Sequence, residues 1–348
     1  MHYWYFIILK YHKQIILYLK NIILKKSTLF LSTSIILFFI IILVISPKLC
    51  IEACFNGLSV WATSLLPALL PFFIFTKLLG ELGVVNKASN IFSPITKKLY
   101  NTNGISGYIY LMSILSGYPV GAKLTKEMFE DGHIDLGQAH RIMAFTSTSG
   151  PLFILGTVAI GMFNNPKIGY VVLISHFVGA MLNGLIYRNY LIKTPKNEVY
   201  SLQLKNQSNN MLEETMYSSI KSILIVGGYV SVFFMIITVL NHYNVLYPIN
   251  YLICKILPFT NINTVSAITN GFIELTKGCL DLSGLNLPNK VVAPIISGLV
   301  SFGGISIFLQ ASTFLKSINI NLKFYFAQKI THCFISVILA IIFSSFMF

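Results

Sequence analysis

Apolar residues run in blocks long enough to cross a bilayer at about 29–46, 58–80, 140–163, 168–187, 222–241, 291–315 and 324–346, which predicts about seven transmembrane helices. A crossing helix needs roughly 20 apolar residues, and a helix satisfies its own backbone hydrogen bonds where water cannot reach. The first block follows a basic stretch, as the core of a secretory signal does. The residues after it, Pro47, Lys48, Leu49 and Cys50, make neither a small-residue cleavage site nor a lipobox, so it reads as a span or anchor outside the rest of the pattern. Residues 1–28 set Lys10, Lys13 and Lys20 among aromatic and aliphatic residues too densely for a crossing and predict a basic amphipathic helix in the interface. Residues 189–218 form a long polar stretch that reads as a linker near the middle of the chain.

Two further segments, about 104–125 and 262–285, are apolar but broken at their centres by Gly, Pro or Asn. Each lies between two predicted ends on one side of the membrane, so each predicts a re-entrant hairpin whose tip is buried in protein or lines a wet cavity. An amphipathic stretch precedes each, NIFSPITKKLY at 90–100 and YPINYLICKIL at 247–257.

The pattern repeats. GYPVGAK at 117–123 matches GFIELTK at 271–277 in its glycine, aromatic and lysine, an offset of 154. Gly150 in STSGPLFI and Gly304 in SFGGISIF interrupt apolar runs at the same offset, and His176 in ISHF meets His332 in ITHC at 156. Landmarks in one order predict a duplication, residues 58–188 and 219–346. Each unit has three crossings, an odd number, so the second enters from the opposite face. The expected fold is an all-α polytopic membrane protein with two inverted-topology repeats, the arrangement that secondary transporters use for alternating access.

The breaks are the candidate site. Ser116 or Gly117 can cap a short helix after the first tip, with Pro119 in its first turn and Tyr118 and Gly121 beside it. Ser147, Thr148, Ser149 and Gly150 repeat that grammar before Pro151, and Asn270–Gly271 and Gly303–Gly304, with Ser306 after them, are the second-half versions. Four half-helix N-termini aimed at one region favour an anion. Lys123 and Lys277 lie beyond the tips, either snorkelling to an interface or contacting a substrate carboxylate, and Glu274 could neutralise Lys277, bind a cation or take a proton. His176 and His332 could pack helices together or carry a proton.

Composition agrees with a membrane chain: 55% of residues are hydrophobic and 10% charged, and the mean hydropathy is +0.74. The net charge of +14 does not call for nucleic acid, because the basic residues sort by loop. With the N-terminus in the cytoplasm, segments 1–26, 77–98, 123–141, 188–221 and 316–329 hold 20 of the 25 Lys and Arg on the inside, and the C-terminus lies on the opposite side. The five cysteines are scattered, so no metal, cofactor or disulfide framework is expected. The expected partners are the bilayer and a small anionic substrate, with a homo-oligomer left open.

LSGYPVGAK, a charged turn, then STSGPLFILGTVAIGMF and a distal SH resemble the sporulation integral membrane protein YlbJ (SpoVV) family of the nucleoside-recognition gate group. That group resembles the core of concentrative nucleoside transporters. The resemblance implies a transporter of dipicolinic acid across the outer forespore membrane, in a protein of that membrane or the cell membrane, and not an enzyme. Dipicolinate is a planar dianion, which suits paired lysines. Nucleosides or other small solutes are the alternative within the same fold. Alternatives of other classes are an intramembrane serine hydrolase using Ser149 with His176 or His332, and a non-transporting subunit of a membrane complex.

Overall fold

The computed structural model of the chain describes residues 29–79, 82, 85–191, 211–256 and 260–348. The interfacial helix expected over 1–28 and most of the expected linker lie outside the described residues. The described chain is helical, without strands, and divides into two units, one ending at Glu52 and one beginning at Ala53.

The first unit holds α1 (Leu29–Ile45) and the start of α2 (Pro47–Val60). Most large side chains of α1 are exposed, which suits a helix that faces lipid. Pro47 opens α2, where its missing N–H costs nothing.

In the second unit α2 passes through a π-wound stretch, Trp61–Leu65, into α3 (Leu66–Leu79), which carries Pro71 inside it. From here one order of elements occurs twice. The first pass runs α3, α4 (Val85–Tyr100), α5 (Ile105–Ser116), α6 (Val120–Glu130), α7 (Leu136–Thr146), α8 (Phe153–Met162, π-wound) and α9 (Pro166–Tyr187). The second runs α10 (Met211–His242), α11 (Tyr247–Ile256), α12 (Ile262–Ile273), α13 (Leu275–Ser283), α14 (Asn289–Phe302), α15 (Gly304–Ser317) and α16 (Leu322–Met347). α4 and α11 are the amphipathic stretches, each with lysine in its last turn, where the negative end of the helix dipole favours a cation.

Among the described residues four helical stretches are long and apolar enough to cross a membrane: Pro166–Tyr187, Leu212–His242, Asn289–Ser317 and Leu322–Met347. Leu29–Ile45 with the helix from Pro47 forms a bent pair that adds one at most. The apolar blocks 58–80 and 140–163 are each interrupted, the first by the π-wound stretch and Pro71, the second by Ser147–Gly150 between α7 and α8. The chain is an all-α multi-pass membrane protein. One boundary moves: α10 begins at Met211, inside the stretch expected as linker, with Glu213 and Glu214 in the first turn, where the dipole favours acid.

Both core clusters draw on both passes. One joins Leu65, Ile154 and Ile168 to Ile223, Leu275, Ile296 and Leu299; the other joins Ile109, Met112, Ile142 and Phe145 to Leu315 and Tyr325. Lipid tails are as apolar as these side chains, so close packing and buried hydrogen bonds hold the passes together more than exclusion of water does. Trp61 donates its indole N–H to the Ile223 carbonyl of α10 at 3.1 Å, and Asn183 of α9 donates to Ala144 O at 2.7 Å and to Gln328 O of α16 at 3.1 Å.

Candidate functional site

Each hairpin tip is seated on the break of its own pass. α5 ends at Ser116, and Gly117 turns the chain at φ 75°, ψ −167°, a conformation that only glycine adopts without strain. A Cβ there would lie 2.6 Å from Gly150 N. Gly121, in the first turn of α6, presses on Thr146 O at the end of α7. In the second pass two left-handed glycines, Gly303 at φ 85° and Gly304 at φ 78°, separate α14 from α15. A Cβ on Gly304 would lie 3.1 Å from Leu275 N and 3.2 Å from Ile273 O at the second tip.

Between these two seats is a cavity with about 510 Å³ of unfilled space, its open mouth included. Ser116, Gly117 and Tyr118 line it from the first tip, Ser149, Gly150 and Phe153 from the first break, Glu274, Leu275 and Thr276 from the second tip, and Ile307 and Gln310 from α15 beyond the second break. Leu65, Leu69, Val226 and Val230 close an apolar side. Hydroxyls, one amide and one carboxylate therefore face a largely apolar pocket, the usual make-up of a small-molecule site.

Several expected site residues stand elsewhere. Ser116 and Gly117 end α5 rather than cap α6, and Pro119, just before α6, gives that helix no side-chain cap. Asn270 and Gly271 lie inside α12, so the second break falls at Glu274 instead. Gly271 does not break its helix because it lies against Gly278 of α13, where any side chain would part the two arms. Asn270 donates to Asp281 at 2.8 Å and accepts from Asn241 at 3.1 Å. Lys277 pairs with Asp281 one turn along its own helix, and Lys123, half-buried on α6, is not among the cavity-lining residues. The lysines expected to serve an anion are thus absent from the lining. The positive end of α13 is also already occupied, since the Glu274 carboxylate, 2% exposed, accepts from Lys277 N at 2.7 Å.

The first break is held by side chains from far along the chain. Ser147 Oγ bonds Tyr325 Oη at 2.7 Å. Ser149 N donates to His176 Nε2 at 2.9 Å, and His176 Nδ1 lies 2.8 Å from Ser301 Oγ. His332 Nε2 donates to the His176 carbonyl at 2.9 Å, and the two rings stack at 4.9 Å. Because a backbone N–H can only donate, Nε2 of His176 is an acceptor already in use and is not a base for Ser149 Oγ. Both histidines therefore serve as helix-to-helix braces in this arrangement, and the serine–histidine dyad expected of a hydrolase is not assembled. Thr148 and Ser306 bury hydroxyls that have no hydrogen-bond partner among the described residues. Among the described residues no group of three or more His, Cys, Asp or Glu could hold a metal.

Two contributors escaped the sequence pattern. Gln310 sits on α15, two turns beyond the Gly303–Gly304 break, where nothing in the local run marks it as facing a cavity. Lys329 sorts with the loop cations by position, yet it is 2% exposed. Its Nζ donates to Tyr118 Oη at 2.7 Å and to Ser147 O at 3.1 Å. A signal was present: Lys329, His332 and Ser336 recur at helical spacing on one face of an apolar run.

The chain is similar to the sporulation integral membrane protein YlbJ of Bacillus subtilis (strain 168), 29% identical over 308 residues, which covers 82% of this chain and 75% of that one. No family model and no solved structure matches.

Proposed function

We propose that the chain transports a small organic anion across a membrane during sporulation, with dipicolinate as the candidate substrate. The observation that carries this reading is a cavity lined by both hairpin tips, the first break and α15 of the second pass. Irregular backbone at membrane depth is tolerated where it lines a cavity, and sites between repeated halves built from broken helices are the hallmark of secondary transporters. The relative's printed description, a sporulation integral membrane protein, supports a membrane role in sporulation. The two passes then act as inverted repeats that rock about the cavity, exposing it alternately to each side. The N-terminus is assigned to the cytoplasm, and the outer forespore membrane is the candidate location.

The experiment is uptake of labelled dipicolinate by the full chain reconstituted in liposomes. Uptake above that of empty liposomes is expected; none under any imposed gradient would defeat the reading. A nucleoside is the second reading, favoured by the Glu274 carboxylate and the Gln310 amide in the lining, groups suited to sugar hydroxyls and base edges. Competition by unlabelled nucleosides, rather than by aromatic carboxylates, would select it.

A further inference from the structure

Tyr118 stands between the cavity and a buried lysine. It lines the cavity from the first tip, and its hydroxyl donates to Val300 O at 3.1 Å while accepting from Lys329 Nζ at 2.7 Å. The ammonium also lies 4.5 Å from the centre of the Tyr118 ring and donates to Ser147 O. Among the described residues no carboxylate lies within ion-pair distance of it. A phenol, a carbonyl and a ring face satisfy donors, but they would leave a positive charge there without a counter-charge. An ammonium has three donors, and two partners are seen.

The placement is specific. Lys329 is held on α16 of the second pass, and both of its partners belong to the tip and break of the first. A swing of the Tyr118 side chain would open the charge to the cavity without moving α16. The lysine of the second tip does not compete for this place, because Asp281 already neutralises Lys277.

We propose that Lys329 is the specificity-determining cation of the site, and that a carboxylate of the substrate takes the place of the Tyr118 hydroxyl on its ammonium. This rests on the transporter reading and narrows its substrate class to carboxylates.

The test uses the full chain in detergent and in liposomes, with dipicolinate and its uncharged isostere pyridine-2,6-dicarboxamide as probes. Wild type should be stabilised against thermal unfolding by dipicolinate and not by the diamide. Lys329→Met removes an uncompensated buried charge, so it should fold, lose the dipicolinate response and raise KM for dipicolinate at least about tenfold, the loss of one charge-assisted hydrogen bond. Tyr118→Phe keeps the ring but removes the competing hydroxyl, and it should lower KM several-fold, an effect that a merely structural contact would not produce. Dipicolinate stabilisation and KM left unchanged by Lys329→Met, or weaker dipicolinate binding in Tyr118→Phe, overturns the assignment. Binding that depends on Lys329 without any uptake defeats transport and spares the cation. Uptake that survives Lys329→Met with unchanged KM defeats the cation and spares transport.

Discussion

Replacing Gly117 by alanine puts a methyl group where the first tip meets the first break. The backbone at φ 75°, ψ −167° is strained for any residue with a Cβ, at a cost of about 1–3 kcal/mol. The new methyl would sit 2.6 Å from Gly150 N, closer than carbon and nitrogen tolerate, and its neighbour is backbone that cannot rotate away. Overpacking of this kind adds about 1–3 kcal/mol. Gly132→Ala is the control, since Gly132 has the same φ of 75° but nothing within 4 Å of its would-be Cβ, so it carries backbone strain alone. Thermal unfolding of purified protein in detergent should rank wild type above Gly132→Ala and Gly132→Ala well above Gly117→Ala. Transport should follow the same order, because relief of the clash moves Ser149 and Gly150 in the cavity wall. Equal unfolding temperatures for the two variants would refute the claim that the tip is seated on the break.

Four further outcomes follow from the same geometry. His176→Ala leaves Ser149 N–H and Ser301 Oγ without their partner, and should cost about 1–3 kcal/mol in denaturant unfolding; unchanged stability would remove His176 from its bracing role. Ser149→Ala should retain most transport, because the His176 contact is made by the backbone; complete loss would revive a hydrolase. Lys277→Met should change stability by less than about 1 kcal/mol, since it breaks a partly exposed pair, and should leave KM for dipicolinate near wild type. A large rise in KM would return that lysine to the substrate. Glu274→Ala removes the cap of α13 and should cost about 1 kcal/mol, whereas Glu274→Gln keeps an oxygen that can accept from Lys277 N and should restore it; equal losses would show that charge, not capping, matters there.

The long apolar blocks, the break at Ser147–Gly150 and the paired glycines at Gly303–Gly304 were legible because each is a local property. Twenty apolar residues or a glycine between two short helices constrain the backbone wherever they occur. The recurring order of elements was legible for the same reason. The second tip was misplaced to Asn270–Gly271 because a glycine in a helix has two uses. It can end the helix, or it can let another backbone approach, and Gly271 does the second against Gly278. No window along α12 separates those outcomes; only the position of α13 does.

The sequence by itself determined a multi-pass helical membrane chain with two hairpins and two broken helices in matching order. Its apolar periodicity and glycine placement are short-range, and they outweigh any single polar residue. Tertiary structure alone decided which polar groups meet. Lys277 was matched to Lys123 by spacing, yet an acid four residues along its own helix takes it. Lys329 was sorted with the loops, yet it is buried against Tyr118, 211 positions away. In a low-dielectric interior a charge goes where donors and acceptors from distant segments converge, and that convergence exists only after the two passes have packed together.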